Sequence, residues 1–220
     1  MTASAPARPP ITPQLADTGI VAILRADREE HLLAVTRTLA GAGIRCLELT
    51  MTTPGAVEAL RRLRPQLDGE IALGMGSVTS AEQAAAVLDA GGDFLVSPGV
   101  CPAVARAAVA AGVSCYPGAF TPTEILNAWE LGASAVKLFP AATGGPRHLR
   151  DLRGPLPQIP LIPTGGIAIE QIDDYLAAGA AAVGLGGPLI GDALDGGSLD
   201  ALRDRARAAL AAVRGARAGR

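Results

Sequence analysis

The sequence predicts a single-domain α/β protein, a (β/α)8 TIM barrel with a short N-terminal lead-in. From residue 19 onward, short apolar runs alternate with longer segments that carry helix-start residues. The alternation gives eight predicted strands and eight predicted helices, which is typical of parallel strands joined by right-handed crossovers. No G-x-G-x-x-G fingerprint follows the first predicted strand, so the closed barrel is favoured over an open doubly wound sheet.

Each predicted strand is a short apolar run, and most of these runs follow a glycine. Continuous apolar runs of this length are typical of parallel strands that are buried on both faces. The predicted strands cover residues 19–24, 44–49, 71–75, 94–96, 113–116, 135–139, 161–163 and 181–185.

The predicted helices begin at residues that favour a helix start. Ser80 is followed three residues later by Gln83, which is the pattern of a capping box, and proline at several other starts suits the first helical turn. The predicted helices cover residues 29–42, 54–64, 80–90, 102–111, 122–131, 146–153, 169–178 and 198–213.

The flanks of the barrel are expected to be poorly ordered. Residues 1–10 are rich in proline and alanine and lack the apolar centre of a signal peptide, so we expect a disordered lead-in. Residues 11–213 form one domain, because no shift in composition marks an internal boundary. The arginine-rich residues 214–220 are expected to fray.

The bulk composition excludes several classes of partner. The net charge of −2 gives no electrostatic footprint for nucleic acid, and no apolar run approaches the roughly 20 residues that cross a bilayer. Three scattered cysteines are too few for a disulfide framework or a metal-ligand cluster. We therefore expect a cytoplasmic protein that binds a small molecule and neither nucleic acid nor a membrane.

The stretch 134–140 carries a lysine in the middle of an apolar strand. Alternate side chains of a strand share a face, so Lys137 should point with Ala135 and Phe139 into the barrel. Burial favours the neutral amine, which can condense with a ketone to form a Schiff base. A lysine that reaches solvent or pairs with a carboxylate is an equally good interpretation of this stretch alone.

Polar residues gather at the predicted C-terminal ends of the other strands, where TIM barrels place their sites. By strand parity Glu48 and Thr50 face inward, and a buried carboxylate is costly unless it is paired. Glu48 is therefore either a structural partner of Lys137 or a general base beside it. Ser77 adds a hydroxyl after the third strand, and Pro98 follows the fourth.

Two glycine pairs follow the last two predicted strands. Gly165 and Gly166 precede a helix, and Gly186 and Gly187 precede a short helical turn. The loops after strands seven and eight of such barrels often bind phosphate through backbone N–H groups, although each pair alone could be a tight turn.

Taken in order, these motifs resemble one enzyme family over roughly residues 19–194. They are Glu48-Leu-Thr, Gly74-Met-Gly-Ser-Val, Ser97-Pro-Gly, Pro117-Gly, Lys137-Leu-Phe-Pro and Pro163-Thr-Gly-Gly-Ile. The set resembles the 2-keto-3-deoxy-6-phosphogluconate (KDPG) aldolases and 4-hydroxy-2-oxoglutarate (KHG) aldolases. The resemblance implies a (β/α)8 barrel, commonly a homotrimer, that needs no metal or other cofactor.

The resemblance also implies roles for individual residues. Lys137 matches the lysine that forms a Schiff base with pyruvate, and Glu48 matches the glutamate that moves protons. The further substrate-binding residues expected are Arg25, Thr50, Ser77, Pro98, Phe139 and Thr164. The phosphate-binding residues expected are Gly165, Gly166, Gly186 and Gly187.

The sequence departs from the family pattern at Thr52, where an arginine often meets the substrate carboxylate, and at Gly187, where a serine often contacts phosphate. These departures put the preferred aldehyde in question rather than the chemistry. We therefore expect a class I aldolase that cleaves KDPG, KHG or both to pyruvate and an aldehyde. A phosphosugar epimerase or isomerase barrel, or a non-catalytic ligand-binding barrel, is the alternative.

Overall fold

In the computed structural model, which describes residues 8–219, eight parallel strands form a nearly closed barrel, as predicted. The strands are β1 (Ile20–Leu24), β2 (Cys46–Thr50), β3 (Ala72–Gly76), β4 (Phe94–Ser97), β5 (Ser114–Ala119), β6 (Val136–Leu138), β7 (Leu161–Pro163) and β8 (Val183–Leu185). Their order is β7-β6-β5-β4-β3-β2-β1-β8, and a parallel bridge between Thr164 and Gly184 joins the two ends of that row.

Helices alternate with the strands and cover the outside of the barrel. They are α1 (Pro13–Thr18), α2 (Leu32–Ala42), α3 (Ala56–Leu63), α4 (Ala81–Asp89), α5 (Pro102–Ala111), α6 (Pro122–Glu130), α7 (Ala141–Arg153), α8 (Ile172–Ala177), α9 (Gly187–Ile190) and α10 (Leu199–Ala218). Short 3-10 helices occur at Arg64–Gln66, Ile169–Gln171 and Ala193–Asp195. No helix within residues 8–219 has the length and apolar character needed to span a bilayer.

Helix α7 begins earlier than the sequence predicted. It starts at Ala141 rather than at Pro146, with a kink at Gly145, whose φ is 66° and ψ is −175°. Pro146 lacks an N–H and cannot continue the hydrogen-bond ladder, so the helix is divided there. The predicted segment 146–153 is the second part of this kinked helix.

Strand parity divides the core into two layers, as the sequence predicted. Val136 and Leu138 pack outward in the layer between strands and helices. Ala135 lies in the barrel interior together with side chains from the first residues of the other strands, such as Phe94 and Cys46. The lower half of the barrel is therefore filled with apolar side chains, which leaves its upper half for polar groups.

The N-terminal end of the barrel is covered by α1, which the sequence analysis did not predict. Its Leu15 is fully buried in the interior cluster. The Thr12 N–H donates to the Tyr116 hydroxyl at 3.0 Å, and the hydroxyls of the two residues lie 2.8 Å apart. These contacts hold the segment before β1 in place across 104 residues of sequence.

Residues 8–10 of the predicted lead-in contact the barrel, and the rest of that segment lies outside the described residues. The Arg8 guanidinium stacks 3.3 Å from the centroid of the Trp129 ring, Pro9 is buried, and the carbonyl of Pro10 accepts a hydrogen bond from Ser114 Oγ. Contacts with β5 and α6 therefore order this segment.

The tail that the sequence analysis expected to fray is described up to residue 219. Helix α10 continues past residue 213 to Ala218, and Arg217 donates to the carbonyls of Ala16 and Asp17 at the end of α1. The last carbonyls of a helix have no partner of their own, so these contacts stabilise both elements. Residue 220 lies outside the described part.

Candidate active site

A cavity of about 290 Å3 lies at the C-terminal ends of the strands, the end where TIM barrels place their sites. Ten of the twelve predicted site residues line it: Arg25, Glu48, Ser77, Lys137, Phe139, Thr164, Gly165, Gly166, Gly186 and Gly187. The strand ends thus bring together residues that are up to 162 positions apart in the chain, from Arg25 to Gly187.

Lys137 projects into this cavity from β6, between Gly118 of β5 and Ile162 of β7. It is partly buried, less than the sequence analysis expected, because the cavity gives the side chain access to solvent. Its Nζ lies 5.2 Å from the centroid of the Phe139 ring, a distance suited to a cation–π contact.

Lys137 is also the only lysine among the 19 Lys and Arg residues of the chain. Arginine serves everywhere else as the basic side chain, but arginine stays protonated and cannot form a Schiff base. This count is a sequence signal for a chemical role that the analysis of motifs overlooked.

Glu48 lies on β2 and is only 2% exposed. Its Oε1 has no hydrogen-bond partner among the described residues. Burial raises the pKa of this carboxyl above its ordinary value, while the nearby charges of Lys137 and Arg25 act in the opposite direction. A carboxylate whose pKa is raised is a stronger base than an ordinary one, which suits it to moving protons.

Gly76 on β3 provides the space that Glu48 occupies. A Cβ at Gly76 would lie 1.8 Å from Glu48 Oε1, which no real structure tolerates. The absence of a side chain on the neighbouring strand therefore permits the observed position of the carboxylate.

Ser77 follows directly at the end of β3. Among residues 8–219 it is the only non-glycine residue with a positive φ, at 60°. This conformation is uncommon for residues with a Cβ, and strained positions of this kind cluster at functional sites. It brings Ser77 onto the cavity wall.

The glycine pairs after β7 and β8 present free backbone donors. Gly165 and Gly166 have φ values of 94° and 74°, and their N–H groups, like those of Gly186 and Gly187, donate to no backbone acceptor within residues 8–219. Beside them, Thr164 is buried next to Gly184, where a Cβ would lie 2.3 Å from the threonine Oγ1. The cavity therefore offers several N–H groups to an anionic ligand.

Comparison with known proteins identifies the family. A family model described as "Aldolase: KDPG and KHG aldolase" matches residues 11–203. This chain belongs to the KDPG and KHG aldolase family. The 2-dehydro-3-deoxy-phosphogluconate aldolase of Dickeya dadantii is 35% identical over 194 residues, which cover 87% of this chain and 91% of the relative.

Solved structures of the family superpose closely on this aldolase. The 4-hydroxy-2-oxoglutarate/2-dehydro-3-deoxyphosphogluconate aldolase from TTHB1 is 40% identical with a TM-score of 0.79, covering 91% of this chain and 96% of that one. A KDPG aldolase from Legionella pneumophila, with pyruvate captured as a covalent carbinolamine, is 28% identical with a TM-score of 0.82. That match covers 89% of this chain and 95% of the Legionella chain.

Two predicted site residues of the aldolase, Thr50 and Pro98, do not line the cavity. Thr50 Oγ1 lies 3.0 Å from Thr52 Oγ1 and 3.4 Å from Thr53 Oγ1, so its hydroxyl is engaged within the β2–α3 turn. Pro98 is exposed, and its carbonyl faces Gly118, where a Cβ would lie 2.2 Å from the carbonyl oxygen. Strand parity predicts a face correctly but does not predict depth along the barrel axis.

The sequence analysis missed six residues of the cavity wall. These are Ile23, Pro188, Ile190, Gly191, Leu194 and Asp195. Five of them lie between β8 and α10, in a connection of which the sequence analysis singled out only the glycine pair 186–187. Its length was the available signal, because long connections at this end of a barrel commonly carry function. No group of three or more His, Cys, Asp or Glu side chains within residues 8–219 is arranged to hold a metal ion.

Replacing Gly76 with alanine is expected to destabilise the aldolase by about 1–3 kcal/mol, the usual cost of overpacking, and to lower its turnover. The new methyl group would displace the Glu48 carboxylate. Urea denaturation and kcat measure the two effects. Gly99→Ala is the matched control, because a Cβ there meets nothing within 4 Å. Equal behaviour of the two variants would contradict the packing argument.

The raised pKa of Glu48 also predicts a pH dependence of stability. The folded state binds this proton more tightly than the unfolded state, so stability falls as the pH rises from the ordinary value of 4.5 through the raised value. Glu48→Gln cannot ionise at this position. The melting temperature of the wild type should therefore fall relative to that of the variant as the pH increases from 4 to 8. A difference that stays constant over this range would contradict the shift.

Glu124→Gln provides a control of opposite sign. Backbone N–H groups of Phe120 and Thr121 lower the pKa of Glu124 at the N-terminus of α6. Its contribution to stability is present above the unfolded pKa and is lost as the pH falls through the folded pKa. The melting temperature of Glu124→Gln should therefore fall relative to that of the wild type as the pH rises.

Proposed function

We propose that this aldolase cleaves 4-hydroxy-2-oxo acids through a Schiff base on Lys137. The observation that carries the proposal is the position of the chain's only lysine, in one cavity with a buried carboxyl. The Oε1 of that carboxyl has no hydrogen-bond partner within residues 8–219. The family is a pyruvate-forming aldolase family, so the ketone that the amine attacks is the C2 carbonyl of the substrate.

The reaction proceeds by covalent catalysis. Lys137 Nζ adds to the C2 ketone, and loss of water gives an iminium ion that accepts the electron pair of the C3–C4 bond as that bond breaks. Glu48, directly or through a water molecule, takes the proton of the C4 hydroxyl, so that the departing fragment leaves as an aldehyde. Protonation of the remaining enamine at C3 and hydrolysis of the iminium release pyruvate and the free lysine.

The other cavity residues orient the substrate. Arg25 contributes the cation for the substrate carboxylate, and the Ser77 and Thr164 hydroxyls donate hydrogen bonds to substrate oxygens. The Phe139 ring covers the reacting carbons. The N–H groups of Gly165, Gly166, Gly186 and Gly187 bind a distal phosphate. Thr50 and Pro98 support the neighbouring loops instead of touching the substrate.

We propose that both KDPG and KHG are substrates. The relatives with these two names support the pair, since the Dickeya protein is named for the phosphorylated substrate and the TTHB1 protein for both. Thr52 carries no charge, so Arg25 binds the substrate carboxylate. Arg25 is exposed at the cavity entrance, and its side chain can reach carboxylates at different positions. The family resemblance also supports a homotrimer located in the cytoplasm. A measurement of molar mass in solution tests the number of subunits.

Trapping with pyruvate and borohydride tests the mechanism. The chain has a single side-chain amine, so one reduced pyruvate adduct should appear per chain and map to the Lys137 peptide. The N-terminal amine is the only competing primary amine, and peptide mapping separates the two. An adduct confined to the N-terminus, with turnover intact, would refute the Schiff base on Lys137.

A further inference from the structure

Arg205 of α10 reaches the end of the short helix α9, next to the cavity. Its Nε donates to the Leu189 carbonyl and its Nη2 to the Ile190 carbonyl, each at 2.7 Å. A helix of four residues leaves its last carbonyls without helical partners. The guanidinium satisfies two of them with charge-assisted hydrogen bonds, which are the stronger kind.

The guanidinium lies directly behind the cavity wall. A Cβ on Gly191 would lie 2.6 Å from Arg205 Nη2 and 2.9 Å from its Cζ, so the contact requires glycine at this position. Gly191 has φ 58° and ψ −134°, a conformation that only glycine adopts readily. Ile190 and Gly191 line the cavity from the other side of the same backbone.

The segment 186–191 needs an external support to keep a fixed position. Three of its six residues are glycines, which increases the freedom of its backbone. Its own hydrogen bonds run from Leu189 and Ile190 to the Gly186 carbonyl and from Gly191 to the Gly187 carbonyl. These bonds set the shape of the segment, whereas Arg205 and the buried Leu189 side chain connect it to the body of the protein.

We propose that Arg205 is a positioning residue that sets the selectivity of this aldolase for substrates with a distal phosphate. The inference rests on the proposed function, in which the N–H groups of Gly186 and Gly187 bind that phosphate. In that binding mode the distal phosphate of KDPG contacts segment 186–191. KHG is one carbon shorter and carries no phosphate, so its binding should not depend on the position of the segment.

Kinetics of Arg205 variants on both substrates test the proposal. Arg205→Met keeps the apolar stem but loses both donors, and KM for KDPG should rise about tenfold, the equivalent of one hydrogen bond. For KHG, kcat and KM should stay close to the wild type. Arg205→Lys keeps the charge with a single donor and should recover part of the loss. Arg203→Met is the control, because Arg203 pairs with the exposed Asp200 on the surface of α10.

A parallel measurement keeps the proposal separate from the proposed function. Inorganic phosphate should raise the melting temperature of the wild type and of Arg203→Met, and should do so less for Arg205→Met. If the wild type cleaves neither acid, the proposed function fails, and the phosphate titration still decides the role of Arg205. An equal rise in KM for both substrates, or equal phosphate binding by all variants, would overturn the proposal.

Discussion

Replacing Lys137 with methionine is expected to abolish aldol cleavage. Removal of the nucleophile from a covalent mechanism lowers kcat by a factor on the order of 10^6 in a well-studied hydrolase. Without the lysine amine the iminium ion cannot form. Lys137 is the only lysine of the chain, so no other side-chain amine can take over. Single-turnover cleavage of KHG, followed through the pyruvate formed, measures the loss.

Lys137→Arg separates covalent from electrostatic catalysis. Arginine keeps the positive charge in the cavity but is not deprotonated in proteins, so it cannot add to a ketone. We expect this variant to be as inactive as Lys137→Met. Substantial turnover by Lys137→Arg would mean that the lysine acts only as a charge beside Glu48, and the proposed mechanism would be wrong.

Glu48→Gln should reduce kcat by about 10² to 10⁴, the usual contribution of a general acid or base. Glutamine keeps the shape of the side chain in the space that Gly76 provides, so the loss reports proton transfer rather than packing. Pyruvate should still be trapped on Lys137 by borohydride, but more slowly, because Glu48 also moves protons during carbinolamine formation.

Asp195→Asn is the matched control for this second prediction. Asp195 is the other carboxylate on the cavity wall, but it is exposed and solvated. Its replacement should change kcat far less than Glu48→Gln does. Similar losses in the two variants would show that the overall charge of the cavity, and not a proton acceptor at Glu48, controls the rate.

The parts of the fold that the sequence predicted are those fixed by short-range pattern. The alternation of side chains along a strand is a local property, so the inward positions of Glu48 and Lys137 followed from counting residues. The glycine pairs at 165–166 and 186–187 were found because they directly follow predicted strands, and the loops that follow barrel strands meet at one end.

The parts that the sequence did not predict depend on contacts between distant residues. Helix α1 has six residues, too few to be stable alone, and it is held by Tyr116 and by burial of Leu15. The ordered C-terminal turn depends on Arg217 contacting α1 across 200 residues. The inward parity of Thr50 was equally clear from the sequence, but its hydroxyl is taken up by Thr52 and Thr53.

Helix α10 links the two ends of the barrel through its arginines. Arg217 holds the end of α1 below the strands, and Arg205 holds the end of α9 above them. The helix also packs along α2 and α8 between these contacts. Local unfolding that detaches α10 would release both α1 and α9. The Gly19 and Gly191 amides should therefore exchange their hydrogens in one cooperative step. Local unfolding at the N-terminal end of the barrel is thereby coupled to motion of the cavity wall at the C-terminal end.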